Sequence, residues 1–169
     1  MNIPAALLDS VKTRLFAGAF IRYQNEVILM QRSPDKKIAP GSWSGIGGHM
    51  EPHEINSPIT ACLREIEEET GIVPAQINTI DLRYFVLLNA EETVDSIYYF
   101  SVVLKEKCLL RQSSEGTLHW IKLQDGADRP MTSFIRQLYL HWVDNLFDTS
   151  LHCLVGSGIY LLPGRAHVF

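Results

Sequence analysis

The sequence predicts an α+β sandwich, and two observations support this class. Several short segments are rich in apolar and β-compatible residues and are separated by turn residues, which is typical of strands. Two longer segments instead carry apolar residues three and four positions apart, which is typical of amphipathic helices. Because strands and helices do not alternate regularly, the pattern favours an α+β arrangement over a parallel βαβ array.

The first elements form a predicted hairpin. Residues 14–22 and 27–32 are rich in strand-forming residues, and residues 23–26 between them have turn chemistry. A loop is expected over 33–41, which contains two prolines and a glycine. Residues 43–48 are too rich in glycine for a helix. They are predicted to form a short strand that runs into a tight turn.

The segment from Pro58 is predicted to be an amphipathic helix. Ser57 is expected to cap its N-terminus, Pro58 suits the first helical position, and Gly71 stands where a C-terminal cap belongs. One apolar stripe follows the helical spacing and is expected to face the core. This stripe comprises Ile59, Cys62, Leu63 and Ile66.

The rest of the chain is predicted to contain further strands, one helix and a tail. Residues 132–147 have the spacing and length of an amphipathic helix. The tail, 150–169, contains a strand-like run, 151–162, interrupted by two glycines. This run can extend the sheet, cover the core or pair with a second copy as a homodimer, and the sequence leaves these roles open. The strands are expected at 82–88, 96–104 and 117–123.

Composition favours a single domain, 1–169, in a cytoplasmic setting. Hydrophobic residues make up 46% of the 169, enough for a core without disulfides or a structural metal. The formal net charge of −4 argues against large nucleic acids as partners. The three cysteines are odd in number and widely spaced, which favours reduced thiols. No stretch approaches the roughly 20 apolar residues of a membrane span, so no membrane partner is expected.

Three glutamates of the predicted helix share one face. Glu65, Glu68 and Glu69 are related as i, i+3 and i+4 and are expected to project opposite the apolar stripe. Like charges at this spacing are unfavourable, so a cation is expected nearby. A hard divalent ion such as Mg²⁺ or Mn²⁺ prefers oxygen ligands and shares them with substrate phosphates. The simpler alternative is a solvated acidic helix face.

The segment 48–72 resembles the Nudix box. The family pattern is glycine, five residues, glutamate, a spacer of seven, then Arg-Glu-aliphatic-any-Glu-Glu-any-Gly-aliphatic. The likeness continues at 31–33, at 40–48 and at Glu115-Gly116 ahead of Trp120, so it covers about 14–147. The matching positions are Gly48, Glu54, Arg64, Glu65, Ile66, Glu68, Glu69, Gly71 and Ile72.

One departure concerns the spacer between Glu54 and Arg64. It holds nine residues, 55–63, where the family pattern has seven. The two extra residues are expected in the loop around Asn56 and Ser57, because an insertion inside the helix would rotate its apolar stripe off the core. The helical acids are then unaffected, whereas the role of Glu54 is left open.

The resemblance implies a Nudix-type α/β/α sandwich with a mixed central sheet, in the MutT-like branch. It implies that Arg64 holds the helix acids in place and that the substrate meets Arg32 and Gly48, since a guanidinium matches phosphate oxygens. The implied catalytic residues are Glu65, Glu68, Arg64 and Glu115. The implied ligands of Mg²⁺ or Mn²⁺ are Glu65, Glu68, Glu69, the Gly47 carbonyl and Glu115.

Glu115 stands for the later-loop glutamate that some relatives use as a metal ligand or base, with Glu91 and Glu92 as weaker candidates. The function implied is a metal-dependent hydrolase that cleaves a phosphoanhydride bond in a small-molecule nucleotide. Nucleoside triphosphates, including oxidised guanine nucleotides, are the first expected class. The alternative is a non-catalytic sensor of a nucleotide metabolite. An isomerase is disfavoured, because Cys62 lies on the core-facing stripe and no cysteine is placed for that chemistry.

Overall fold

Nine strands and two helices form the part of the chain that the structure describes. This is a computed structural model, and it describes residues 12–37, 39–90, 93–111, 113–157 and 160–161. The strands are β1 (Lys12–Tyr23), β2 (Glu26–Arg32), β3 (Trp43–Ser44), β4 (Ile46–His49), β5 (Ile77–Ala90), β6 (Thr93–Leu104), β7 (Gly116–Lys122), β8 (His152–Ser157) and β9 (Tyr160–Leu161). The helices are α1 (Pro58–Thr70) and α2 (Ser133–Asp144), with short 3-10 helices at Pro52–Glu54, Pro74–Gln76 and Leu123–Asp128.

The strands belong to one mixed sheet, as predicted. Their order is β3-β2-β1-β6-β5-β8-β9, with β4 also paired to β1 and β7 to β2. The β1/β6 and β5/β8 pairs are parallel, and the other pairs are antiparallel. The predicted hairpin is confirmed, with Ile21 opposite Ile28 and Tyr23 opposite Glu26. The predicted strands at 82–88, 96–104 and 117–123 correspond to β5, β6 and β7, respectively.

The two helices cover opposite faces of the sheet. Alternate residues of β1 point to opposite sides, because successive side chains of a strand do so. Ala19 and Ile21 join the cluster that contains Ile66 of α1, whereas Phe20 joins the cluster that contains Trp142 of α2. The α/β/α sandwich expected from the sequence is therefore confirmed.

Helix α1 ends as predicted but is rotated from its expected orientation. Gly71 adopts φ 78° and its N–H bonds the Glu67 carbonyl, so it is the C-cap. Ser57 makes no side-chain capping bond, because its hydroxyl meets Thr60 Oγ1 at 2.7 Å. Ile59 is 40% exposed, so its predicted place in the core is wrong. Cys62 and Ile66 of the predicted stripe are buried, and Leu63 is half-buried. The helix packs on β1 and β4, and it also buries Ala61, Glu69 and Thr70.

The strand-like run of the tail extends the sheet, which is one of its three expected roles. Strand β8 pairs in parallel with β5, from Tyr84 opposite His152 to Asn89 opposite Ser157. Strand β9 pairs with β8 in turn. Residues 158–159 and 162–169 of the predicted tail lie outside the described residues. Pairing with a second copy and a single domain over 1–169 stay predictions.

The helices of the described ranges are also too short or too polar to cross a membrane.

Candidate active site

Three glutamates of α1, Glu65, Glu68 and Glu69, face a large cavity beside β4. The cavity has a volume of about 1270 Å³ and is bounded by β1, β4, α1, the loop after β2 and the loop before β7. Every residue assigned to the site from the sequence lines it. These residues are Arg32, Gly47, Gly48, Arg64, Glu65, Glu68, Glu69 and Glu115.

Glu54 anchors Arg64 from the side. The Arg64 Nε and Nη2 atoms donate to Glu54 Oε1 and Oε2 at 2.9 and 3.0 Å. Glu54 is only 1% exposed and also accepts the Glu51 backbone N–H at 2.8 Å. The Arg64 guanidinium lowers the pKa of Glu54 to about 2, although burial opposes the shift. The role that the sequence left open for Glu54 is thus to hold the arginine.

Arg64 also reaches two acids of its own helix. Its Nη1 atom donates to Glu65 Oε1 at 2.8 Å and to Glu68 Oε2 at 3.1 Å, and its Nη2 atom donates to the His49 carbonyl at 3.0 Å. One guanidinium therefore links α1, the end of β4 and the 3-10 helix. Residues 56–57, where the two extra residues of the spacer are expected, precede α1, which begins at Pro58.

Glu69 is the buried acid of the cluster. Its predicted position opposite the core-facing side is wrong, because the rotation of α1 brings it to 9% exposure beside β4. There its Oε2 accepts the Gly47 N–H at 3.2 Å. Burial raises the pKa of Glu69 to about 8, and the carboxylates of Glu65 and Glu115 add to the shift that the Gly47 N–H opposes. Burial also raises the pKa of Glu65.

Gly48 allows β4 and α1 to approach closely. A Cβ atom at this position would lie 2.7 Å from both Glu65 carboxylate oxygens, closer than real Cβ contacts. A side chain would therefore push Glu65 away from the strand. At Gly47, whose φ is 151°, a Cβ would also collide with the Ala17 carbonyl. The glycine pair thus sets the distance between the acids and the sheet.

Three basic residues, Arg32, Lys36 and Lys37, also line the cavity. Lys36 Nζ pairs with Glu115 Oε2 at 2.7 Å. The sequence analysis did not identify Lys36 as a site residue. The only sequence signal for it is that Lys36 and Lys37 are adjacent in the loop after β2. Its partner is 79 positions away in the chain, so the pairing depends on the tertiary fold.

The rest of the cavity wall is partly aromatic. Tyr99 of β6 lines the cavity. Asp95 also lines it and is held by two Arg14 bonds of 2.7 Å each. Glu91 and Glu92 lie outside the described residues. Further apolar and aromatic lining comes from Phe16, Trp43, Ile97, Phe134 and Ile135.

Carboxylate oxygens are the ligands that a hard divalent ion prefers, although three of these carboxylates bond to basic side chains in this structure. No group of three or more His, Cys, Asp or Glu side chains in the described ranges is arranged to hold a metal. Glu65 and Glu68 point at Arg64, and Glu115 points at Lys36. Glu69, however, is a buried carboxylate among other acids, with its pKa raised to about 8. A cation with oxygen ligands would stabilise its charged form.

Comparison with known proteins agrees with the fold and the motif. A family model of the NUDIX domain matches residues 12–142. The 8-oxo-dGTP diphosphatase of Proteus vulgaris is 36% identical over 75 residues, which are 44% of this chain and 64% of that protein's length.

Solved structures share the fold at lower identity. A MutT protein from Bacillus halodurans superposes with a TM-score of 0.70 at 23% identity, covering 88% of this chain and 94% of the other. A C. elegans Ap4A hydrolase superposes with a TM-score of 0.65 at 23% identity, covering 79% and 97%. These likenesses show a common architecture.

Proposed function

Because the chain belongs to the Nudix family, we propose that it is a divalent-metal-dependent hydrolase that cleaves a phosphoanhydride bond in a nucleotide. One observation carries the proposal. The buried Glu69 lies in a cluster of carboxylates that lines a cavity, and three basic side chains line the same cavity. A cluster of this kind is unfavourable for folding, and a pure apolar or hydrogen-bonding pocket would not need it.

In this proposal the basic side chains bind the substrate and the carboxylates hold the metal. Arg32 and its neighbouring lysines bind phosphate oxygens of the substrate, since both guanidinium and ammonium groups donate to them. Glu65, Glu68, Glu69, Glu115 and the Gly47 carbonyl are the residues that would hold Mg²⁺ or Mn²⁺. When bound, such an ion neutralises charge on the phosphoryl oxygens and lowers the pKa of a coordinated water.

The chain's own residues then position the reacting groups. Arg64 fixes the rotamers of Glu65 and Glu68, and Glu54 fixes Arg64. A carboxylate of the set Glu65, Glu68 and Glu115 accepts the proton of the attacking water. Burial raises the pKa of Glu65, which makes it a stronger proton acceptor than an ordinary surface glutamate.

Nucleoside triphosphates, including oxidised guanine nucleotides, are the substrate class that we propose first. The relative from Proteus vulgaris with 36% identity is an 8-oxo-dGTP diphosphatase. The aromatic and apolar part of the cavity, with the half-buried Phe16 and Phe134, offers surfaces on which a base can pack.

A substrate panel tests the proposal. Purified protein is assayed for phosphate and pyrophosphate release from nucleoside triphosphates, oxidised guanine nucleotides, nucleotide sugars, ADP-ribose and dinucleoside polyphosphates, with and without Mg²⁺ or Mn²⁺. We expect metal-dependent turnover that Glu68→Gln and Glu69→Gln reduce strongly. Glu67→Gln is the matched control, because Glu67 is exposed on the same helix and does not line the cavity.

The same panel separates the hydrolase from a sensor. No turnover of any compound, with thermal stabilisation by one of them, would support a sensor and contradict the hydrolase. Unchanged turnover in both Glu68→Gln and Glu69→Gln would contradict the assignment of these acids to the reaction.

A further inference from the structure

The ion pair between Lys36 and Glu115 joins two loops at the mouth of the cavity. Its nitrogen and oxygen lie 2.7 Å apart, and the side chains are 30% and 40% exposed. The loops are also joined by a backbone bond from the Ser33 N–H to the Glu115 carbonyl at 3.0 Å. The Glu115 N–H in turn meets Ser113 Oγ at 3.1 Å. The backbone thus holds Glu115 in place independently of the lysine.

This lysine–glutamate pair differs from the arginine–glutamate pair of the site. Arg64 and Glu54 share two bonds, and Glu54 is almost fully buried, so that link persists. The Lys36 pair is a single contact between half-exposed side chains, and such pairs contribute little to stability. A ligand with a stronger charge can therefore separate it without unfolding either loop.

The surroundings favour such an exchange. The carboxylate of Glu115 interacts unfavourably with that of Glu69, and Arg32 lies close enough to oppose this effect. Lys36 neutralises the charge of Glu115 in this structure. A divalent cation near Glu69 would attract Glu115 and repel the Lys36 ammonium, and substrate phosphates would attract that ammonium.

We propose that Lys36 is an exchanging counter-ion, which pairs with Glu115 in the free protein and moves to phosphate oxygens of the substrate when Glu115 turns to the divalent cation. Lys36 then determines affinity for the phosphate tail and competes with metal for Glu115. This inference rests on the proposed function. A purely structural ion pair predicts neither effect.

Opposite changes in two affinities test the exchange. Isothermal titration with Mn²⁺ alone is compared for the wild type, Lys36→Met and Lys37→Met. We expect Lys36→Met to bind Mn²⁺ roughly 2- to 5-fold more tightly, since a competing half-exposed pair is lost. Lys37→Met removes the same charge from the same loop, and we expect a change of less than about 2-fold.

Glu115 provides the second arm of the test. In a Glu115→Gln background, Lys36→Met is expected to have no effect on Mn²⁺ affinity, because the competition has been removed. Equal tightening of Mn²⁺ binding in both backgrounds would overturn the proposal, since the lysine would then act only through its general charge. Weaker or unchanged binding in Lys36→Met would overturn it as well.

The affinity for substrate is expected to fall in Lys36→Met, whereas the affinity for Mn²⁺ rises. With the best nucleotide of the panel, Lys36→Met is expected to raise KM by about 10-fold, the loss of a charge-assisted hydrogen bond to phosphate. The kcat value should change much less, and Lys36→Arg should restore KM to within about 3-fold. An unchanged KM in Lys36→Met, with melting temperature preserved, would overturn the proposal.

The two proposals fail in distinguishable ways. If the panel reveals no turnover, the Mn²⁺ titrations still decide whether Lys36 competes for Glu115. If turnover is metal-dependent but Mn²⁺ affinity ignores Lys36, the hydrolase stands and the exchange is wrong.

Discussion

The two helices cover opposite faces of one sheet, but they bury different chemistry. Helices α1 and α2 have 13 and 12 residues, so their capacity for burial is similar. Helix α2 buries Leu138, Tyr139 and Trp142, and it therefore serves mainly the core. Helix α1 buries Cys62 and Ile66 but also the carboxylate of Glu69. Helix α2 thus buries apolar and aromatic side chains, with Phe134 and Ile135 reaching the cavity, whereas α1 also buries a carboxylate at the site.

Polar groups make the same contrast. The indole N–H of Trp142 donates to Ser101 Oγ at 2.9 Å, and the Tyr139 hydroxyl donates to the Leu123 carbonyl at 2.7 Å. These apolar side chains thus satisfy their polar ends, as buried groups generally do. Glu69 instead keeps a raised pKa in spite of its bond to the Gly47 N–H. Its charged form is poorly stabilised by the protein alone.

Removing Trp142 should produce the largest effect, and on stability alone. The side chain is fully buried, so Trp142→Ala is expected to lower the free energy of unfolding by about 3–5 kcal/mol. Urea unfolding measures this change. Leu140→Ala, on the exposed side of the same helix, is the control and should change stability by less than about 1 kcal/mol. Similar losses in both variants would contradict the role given to α2.

Neutralising Glu69 should reduce activity without reducing stability. Glu69→Gln is expected to reduce kcat/KM by about 100- to 1000-fold, because a ligand and charge at the reacting phosphate are lost. The free energy of unfolding should stay the same or rise, since the amide can still accept the Gly47 N–H without a buried charge. Steady-state kinetics and urea unfolding on the same preparation check both. A strong loss of stability would show that Glu69 has a structural role, like the buried residues of α2.

Glu54 links the two roles, and its effect should depend on pH. Glu54→Gln removes the buried partner of Arg64 and is expected to cost about 2–3 kcal/mol of stability at pH 7. Because the folded state lowers the pKa of Glu54 to about 2, the stabilisation is present above the ordinary pKa of about 4.5. It is lost as the pH falls from there through about 2.

Urea unfolding between pH 7 and pH 3 checks this linkage. The difference in stability between wild type and Glu54→Gln should shrink toward pH 3. Glu51→Gln is the control, since Glu51 is an exposed neighbour that pairs with His53. A difference that is constant over this range would contradict the ion pair as its cause.

The smallest effect is expected at the edge of α2. The Tyr84 hydroxyl lies 2.8 Å from His141 Nδ1, and the ring of Tyr84 packs in the core on the α2 side. Tyr84→Phe keeps the ring and removes one hydrogen bond, so we expect a loss of about 1 kcal/mol. Turnover should not change, because Tyr84 does not line the cavity. Thermal unfolding and the panel assay measure both, and an altered turnover would contradict the separation of the two sides.

The sequence was sufficient for features that depend on local chemistry. The hairpin of β1 and β2, the glycine cap of α1 and the amphipathic α2 all follow from residues close in the chain. The orientation of α1 did not, because packing on β1 and β4 exposes Ile59 and buries Glu69. Periodicity gives the helix but not its rotation on the sheet when the apolar stripe is short.

The acid cluster and its link to Arg64 were predictable, whereas the contacts of Lys36 and Glu54 were not. The spacing of Glu65, Glu68 and Glu69 identifies one helix surface, and the motif adds Glu115. The pairing of Lys36 with Glu115 joins distant positions, and the burial of Glu54 depends on where the 3-10 helix docks. Long-range pairs of this kind leave no periodic signal in the sequence.

The two bonds from Arg64 to Glu54 also close a loop in the chain. They hold both ends of the ten-residue step from 54 to 64, in which residues 55–57 precede α1, so residues added at 55–57 lengthen a closed ring outside the helix. Two extra residues add only about 0.2 kcal/mol to the entropic cost of closing a flexible ring of this size. We therefore expect chains with different lengths at 55–57 to reach the same arrangement of acids.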